Sequence, residues 1–223
     1  ILDEGAIVVA DFPLLTYGAA GRLAQICLKV SVQKQALMRP GSSNPRPVLL
    51  AQDEFQLFAL PDHDSYVQSV ARESRLISVV ATQNIPLLRA GVGGESSRDE
   101  VNALISNHSI KLFASNSDIE TNNYASSLCG LQWEDVVSCS LPGQRRDYSP
   151  IDDWTGRQSE TGSSLSFGPQ RLPALEPTVF NRLTRGGAGW VECIAFQNGR
   201  VYPDTRGPWT RVWFPQAYGK EGA

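Results

Sequence analysis

Apolar and polar positions alternate in blocks along the first 130 residues. "AIVVADF" (6–12) is a short continuous apolar run closed by Pro13, which predicts a buried strand. "AAGRLAQICLKVSVQKQALM" (19–38) carries Leu23, Ile26, Cys27, Val30 and Leu37 at helical spacing, with Lys29, Lys34 and Arg39 elsewhere on the wheel. "RPGSSNPRP" (39–47) has loop composition. "VLLAQ" (48–52) predicts a second buried strand. "DHDSYVQSVARESR" (62–75) predicts a helix capped by Asp62 or Asp64. "LISVVATQ" (76–83) is a third strand. "SRDEVNALISN" (97–107) is a helix with a capping-box start, Ser97 to Glu100. "IKLFAS" (110–115) is a fourth strand, and "DIETNNYASSLCG" (118–130) is a helix stopped by Gly130.

Strands that are apolar throughout and alternate with helices predict an α/β fold, a mostly parallel sheet with helices on both faces. Function in such sheets gathers at the carboxyl ends of the strands, where Asp53 and Gln83 stand. The rhythm breaks after residue 139. Residues 140–176 hold four Gly, four Pro and six Ser without periodicity and read as a long loop or flexible insert. "EPTVFNRL" then fits a short helix. "GWVECIAFQNGRVYP" fits a hairpin around Asn198-Gly199, and "WTRVWFPQ" a further short strand. The organisation is thus residues 1–139, an insert at 140–176, and a small β-rich extension, 177–223, packed on the same domain.

Composition changes this picture little. With 223 residues, 41% hydrophobic and five Trp, the chain suits a globular domain, and a net charge of −3 does not announce nucleic acid. Residues 1–139 hold 10 Lys+Arg against 15 Asp+Glu, and residues 140–223 hold 10 against 8, so the second part is slightly basic. Cys27, Cys129, Cys139 and Cys193 form no CxxC pair and there are two His, which disfavours a zinc cluster. Cys27 and Cys193 lie in apolar patterns and read as buried free thiols of a reducing compartment. No apolar run approaches the roughly 20 residues that span a bilayer. The chain opens almost directly into a strand pattern without Met, as if cut from something longer.

The candidate chemistry is at "PVLLAQDEFQLF" (47–58). Successive residues at a strand end point in different directions, so Asp53 could hold the water shell of Mg²⁺ while Glu54 polarises an attacking water. An ordinary acidic turn would look the same. Gln83 ends the next strand, where a Gln can sense a terminal phosphate; Thr82 and Asn84 suit a plain turn equally well. Arg72 and Arg75 precede that strand. Either could reach across a subunit interface to a phosphoryl group, or form a salt bridge, or lie solvated.

In order, "VLLAQDEFQLF", "SYVQSVARESRLISVVATQN" and "NALISNHSIKLFASNSDIETNNYASSLCG" resemble the conjugative coupling proteins of the TraG/TraD family, the RecA-like, P-loop NTPase-type ATPases of type IV secretion systems. "GAIVVADFPLLTYGAAGRLAQI" resembles the segment preceding that family's metal strand. The resemblance covers residues 5–130 and extends loosely over "LEPTVFNRLTRGGAGWVECIAFQNGRV", in the TraM-recognition region. It implies that Asp53 and Glu54 are the Walker B pair, with Asp53 on Mg²⁺ through water, and that Gln83 is the strand-ending Gln. Arg72, eleven residues before Gln83, matches an arginine near the nucleotide; Arg75 has no such match. It further implies Mg-ATP as cofactor of a full-length, ring-forming protein. DNA, relaxosome proteins and a type IV secretion channel would be its partners. Its location would be the cytoplasmic face of the membrane, through an N-terminal segment outside this sequence.

The departure from the family is the phosphate loop. GxxxxGK[ST] is absent, and the Gly219-Lys220 pair is followed by Glu221. "GVGG" (91–94) and "RGGAG" (185–189) lack the lysine and read as flexible loops. The chain therefore reads as the C-terminal half of a partial RecA-like domain, inactive by itself and binding no nucleotide tightly. Two other readings stay open: a non-catalytic docking module for a relaxosome or secreted partner, and an unrelated α/β enzyme acting on another phosphoester.

Overall fold

The computed structural model describes residues 5–39, 46–140, 164–187 and 189–216. Helix α1 (Leu14–Leu37) is bent at Gly18, whose φ of 50° and ψ of −132° break the helical run. β1 (Val48–Gln52) follows, then a 3-10 turn (Phe55–Leu57), α2 (His63–Val70) and β2 (Leu76–Val80). Next come α3 (Ile85–Val92), α4 (Ser97–Asn107), β3 (Ile110–Ala114) and α5 (Ile119–Cys129). β4 (Leu131–Ser140) and β5 (Ser164–Pro173) precede a second 3-10 turn (Pro177–Arg182), β6 (Trp190–Gln197) and β7 (Trp209–Pro215).

The fold is mixed α/β, but among the described residues its parallel sheet contains only β1 and β2. β3 joins an antiparallel sheet in the order β3-β6-β7, with Leu112 opposite Ala195. Residues 6–12 form no strand, and Ile7, Val8 and Val9 are exposed. An apolar run marks a segment suited to burial, but a strand exists only where a neighbour supplies hydrogen bonds. The helices cover one face of β1-β2. Val48, Leu50 and Leu76 pack there against Val32 and Ala36 of α1 and against Val67 and Ala71. On the opposite face Leu49 is 65% exposed, Ile77 51% and Val79 50%. The expected second helical layer is absent among the described residues.

α1 buries a different stripe from the one its apolar residues suggest. Leu23 and Cys27 are exposed, whereas Lys29 is 3% and Gln33 1% exposed. Lys29 Nζ donates to Asp64 Oδ2 at 2.6 Å and to the Phe58 carbonyl at 2.7 Å. Gln33 donates to Asp64 Oδ1, and its own oxygen lies 3.0 Å from His63 Nε2. The ammonium also sits 5.2 Å from the Phe55 ring centre. A buried charge persists when its partner is desolvated with it and each lone pair is used. Burial pulls the Lys29 ammonium below its ordinary value, and Asp64 opposes that shift. Asp64 is thus a core ligand rather than a helix cap. Asp62, at the cap position, makes no side-chain cap bond.

Other local expectations change for similar reasons. α4 has no side-chain cap; Glu100 instead accepts from Asp62 N and Ser65 Oγ, tying α4 to α2. The turn at Asn198-Gly199 forms, but residue 196 pairs with 209, so the β6–β7 connection runs on to Pro208. The ends of the expected insert at 140–176 are strand: β4 and β5 form a two-stranded antiparallel ribbon. Leu131, Trp133 and Val137 alternate along one face of β4, with Phe167 opposite Val137, and all four stay exposed. Residues 141–163, most of the loop at 39–47 and Gly219-Lys220 lie outside the described residues.

Lys29→Met leaves Asp64 charged and unpaired in the core, and should cost about 3–5 kcal/mol in urea unfolding. Adding Asp64→Leu should recover part of that loss, because Leu60 N still loses its acceptor. A single variant as stable as the parent would overturn this account. The thiols give a second test. Cys129 is buried, donates to the Ala125 carbonyl, and burial pushes its pKa up to about 12. Burial, then the Glu192 charge, also raises Cys193. At pH 8 a maleimide should label Cys27 quickly in the native chain, and Cys129 and Cys193 only after denaturation.

Candidate functional site

The site follows from the register of β1 on β2. Gln52 pairs with Val80, and the alignment continues past both strands: Ala81 N donates to Gln52 O and Phe55 N to Ala81 O, each at 2.9 Å. This return bond draws the chain around Asp53 and Glu54 beneath the end of β2. Glu54 takes a left-handed conformation, φ 49° and ψ 42°, uncommon for a residue with a side chain. Asp53 Oδ1 accepts from Glu54 N at 2.9 Å.

Gln83 Nε2 lies 3.2 Å from both oxygens of Glu54, and Gln56 Nε2 also donates to Oε2. Glu54 is half-buried and held by two amides, while Asp53 and Gln83 are exposed. Three of the residues singled out by the sequence therefore meet at the carboxyl ends of adjacent parallel strands. A carboxylate so oriented can accept a proton from water, and an exposed carboxylate beside it can hold a hydrated cation. Among the described residues no group of three His, Cys, Asp or Glu is placed to hold a metal directly.

The supporting elements are specified locally. Asn84 caps α3, its side chain accepting from Leu87 N at 2.8 Å. Gly91 lets α3 lie directly on the 3-10 turn after Glu54, since a Cβ there would sit 2.0 Å from the Gln56 carbonyl oxygen. The "GVGG" segment is in this respect a packing contact. Asp118 caps α5 through Thr121 N, and Thr121 Oγ1 in turn accepts from Ile85 N, joining α5 to α3. Asn116 Nδ2 donates to the Gln83 carbonyl at 2.8 Å, so the end of β3 meets the end of β2 although no ladder joins the strands.

A model of the TraM recognition site of TraD and TraG matches residues 47–183, more than half of the chain. The chain belongs to this TraG/TraD family. It is also similar in structure to a bacterial conjugative coupling protein, TrwBdeltaN70 in its unbound monoclinic form. The TM-score is 0.56 at 16% identity, over 89% of this chain and 38% of that one. At that identity the likeness speaks for the fold. The chain spans well under half the length of that solved protein. No curated protein sequence matches it.

Within this TraG/TraD-family chain Arg72 and Arg75 are not part of the same cluster. They lie in the turn before β2, Arg75 N donating to the Arg72 carbonyl at 3.2 Å, whereas Gln83 follows the strand. Five strand residues separate the two ends, roughly 16 Å at 3.3 Å per residue. Arg72 is exposed and does not reach Glu54 of its own chain.

Between β2 and β3 runs a cleft of about 1170 Å³. All five residues of each strand line it, whichever way their side chains alternate. A cavity lined by consecutive residues of two strands is bounded by their edges. β2 has β1 on its other side and β3 has β6, so each strand turns its unladdered edge to the cleft. Sequence reasoning did not find this feature, because edges depend on which strands pair.

Stability measurements test the caps and the carboxylate. Asn84→Ala and Asp118→Ala should each cost about 1 kcal/mol in urea unfolding. Glu54→Gln, on a half-buried carboxylate that accepts from Gln56 and Gln83, should cost no more than about 1–2 kcal/mol. A large loss for Glu54→Gln would make it a structural residue instead.

Proposed function

We propose that the chain is part of a conjugative DNA-transfer coupling ATPase and carries the Walker B half of a RecA-like nucleotide site. The observation that carries this reading is the Glu54–Gln83 contact at the carboxyl ends of two adjacent parallel strands, in a member of the TraG/TraD family. Asp53 would hold Mg²⁺ through water, and Glu54 would accept a proton from the attacking water. Gln83, which keeps Glu54 oriented, would report on the terminal phosphate. Mg-ATP, when bound, supplies the phosphoanhydride and the charge neutralisation for its cleavage. Arg72, at the far end of β2, would serve a neighbouring subunit of a ring.

The phosphate-binding half would complete the sheet from the β2–β3 cleft. Two strand edges that face one cavity favour an inserted strand, because its backbone would use the donors and acceptors of both. The exposed face of Leu49, Ile77 and Val79 needs a covering layer for the same completed domain. DNA and relaxosome proteins would be the partners of the whole protein. The same exposed face and the matched recognition-site family also support a second reading, a docking module for a relaxosome protein without its own catalysis. Among the described residues no helix is long and apolar enough to cross a membrane. Membrane attachment in the whole protein would come from a segment beyond this sequence.

The test is Mg²⁺-dependent ATP hydrolysis by this chain alone and by a longer polypeptide that adds the upstream coding sequence. The longer protein should turn over ATP, and Glu54→Gln should lower its rate by about 10²–10⁴-fold. The 223-residue chain should show no turnover. Glu54-dependent hydrolysis by the short chain, or an unchanged rate in the long Glu54→Gln variant, would refute the assignment. DNA- and nucleotide-independent capture of a relaxosome protein by the short chain would favour the docking module.

A further inference from the structure

A second, smaller cavity of about 440 Å³ opens beside Gln83. Gln83, Asn84, Ser115, Asn116, Ser117 and Arg185 supply its polar lining, and among the described residues no carboxylate lines it. Arg185 comes from "RGGAG", the segment that reads as a loop from sequence. Its backbone bridges to Val191, which anchors it at the start of β6. Gly186 and Gly187 follow with φ of 102° and 86°, turning the chain sharply away behind the arginine.

Arg185 Nε donates to Ser115 Oγ at 2.9 Å. That contact uses one of the five N–H donors of the guanidinium and holds its plane at the end of β3. Nη1 and Nη2 have no protein partner among the described residues. Asn84 spends its side-chain oxygen on Leu87 N, and Ser115 accepts from Arg185, so the Asn84 amide nitrogen and the Ser115 hydroxyl hydrogen remain as donors. The cavity thus presents a cationic fork and neutral donors. It lies one amide away from Glu54, whose field alone would repel an anion.

We propose that this cavity binds a phosphoryl oxyanion, with Arg185 as its principal contact through Nη1 and Nη2. A planar guanidinium held by Nε leaves its terminal nitrogens free for two parallel bonds to neighbouring phosphate oxygens, which a lysine would not match. The inference rests on the nucleotide reading for the identity of the ligand, a nucleotide polyphosphate. The oxyanion site itself stands on Arg185 and Ser115. Arg185 lies just beyond residues 47–183 matched to the family, in a part of the chain with no role assigned above.

The probe is inorganic pyrophosphate, titrated into the intact chain with and without Mg²⁺ and followed by amide chemical shifts and calorimetry. Pyrophosphate should shift the amides of residues 83–84, 115–117 and 185–187. Arg185→Ala should weaken binding at least about tenfold, the scale of a lost charge-assisted hydrogen bond. Arg185→Lys should fall between the two, keeping the charge without the fork. Arg98→Ala, on α4 outside the cavity lining, should bind as the parent does, and unchanged melting temperatures should attend all three. No binding by the parent, or equal binding by Arg185→Ala, overturns the proposal. The two ideas fail separately. Arg185-dependent pyrophosphate binding alongside hydrolysis indifferent to Glu54→Gln retains the oxyanion site and removes the nucleotide reading. Hydrolysis lost in Glu54→Gln with pyrophosphate binding indifferent to Arg185 does the reverse.

Discussion

The parallel ladder between β1 and β2 is the constraint on which the rest of the molecule depends. Its register is continued by the Ala81–Gln52 and Phe55–Ala81 backbone bonds, which carry the alignment through both strand ends. A slip of one residue would reverse every side chain on the slipped strand. Gln83 would leave Glu54, and Val48 or Leu76 would leave the helices for solvent. The same hydrogen bonds therefore set both the core face and the candidate site.

Around that ladder the molecule is built asymmetrically. α1 and α2 close one face, and the buried Lys29–Asp64 pair clamps them to the segment from Phe58 to Leu60, a few residues beyond Glu54. A second core around Phe55, Leu88, Val101 and Leu104 joins the 3-10 turn to α3 and α4. A third, with Phe180 and Ile194, holds α5 to β6. Among the described residues no such cluster covers Leu49, Ile77 and Val79, and the β2–β3 cleft separates the two sheets. The open face and the β2–β3 cleft together leave the described surface incomplete in sheet and in core.

Much of the local structure was legible because it depends on near neighbours. The short apolar runs at 48–52, 76–80 and 110–114 are strands, and Asp118 and Gly130 bound α5 as their cap chemistry requires. Asp53, Glu54 and Gln83 were recognisable as strand-end polar residues, and the fold brings them together. Lys29 was misplaced because a charged residue off the apolar stripe of a helix signals solvent unless its partner is known. That partner, Asp64, lies 35 residues away. Residues 6–12 and the β4–β5 ribbon erred in opposite directions. One is apolar without a strand to join, and the other pairs by backbone while its apolar face of Leu131, Trp133, Val137 and Phe167 stays exposed.

The sequence by itself determined the places of β1, β2, β3, α2, α4 and α5, the cap of α5 and the polar residues that follow β1 and β2. These are properties of periodicity and side-chain chemistry over a few residues. Only the tertiary structure decided which strands pair and in which direction, and that α1 buries a lysine. It also decided that Arg72 stands apart from Glu54 and that Arg185 approaches Ser115. Each of these rests on contacts between residues distant in the chain. Their free energy depends on desolvation and hydrogen bonding shared by both partners, so neither partner's local sequence reveals it.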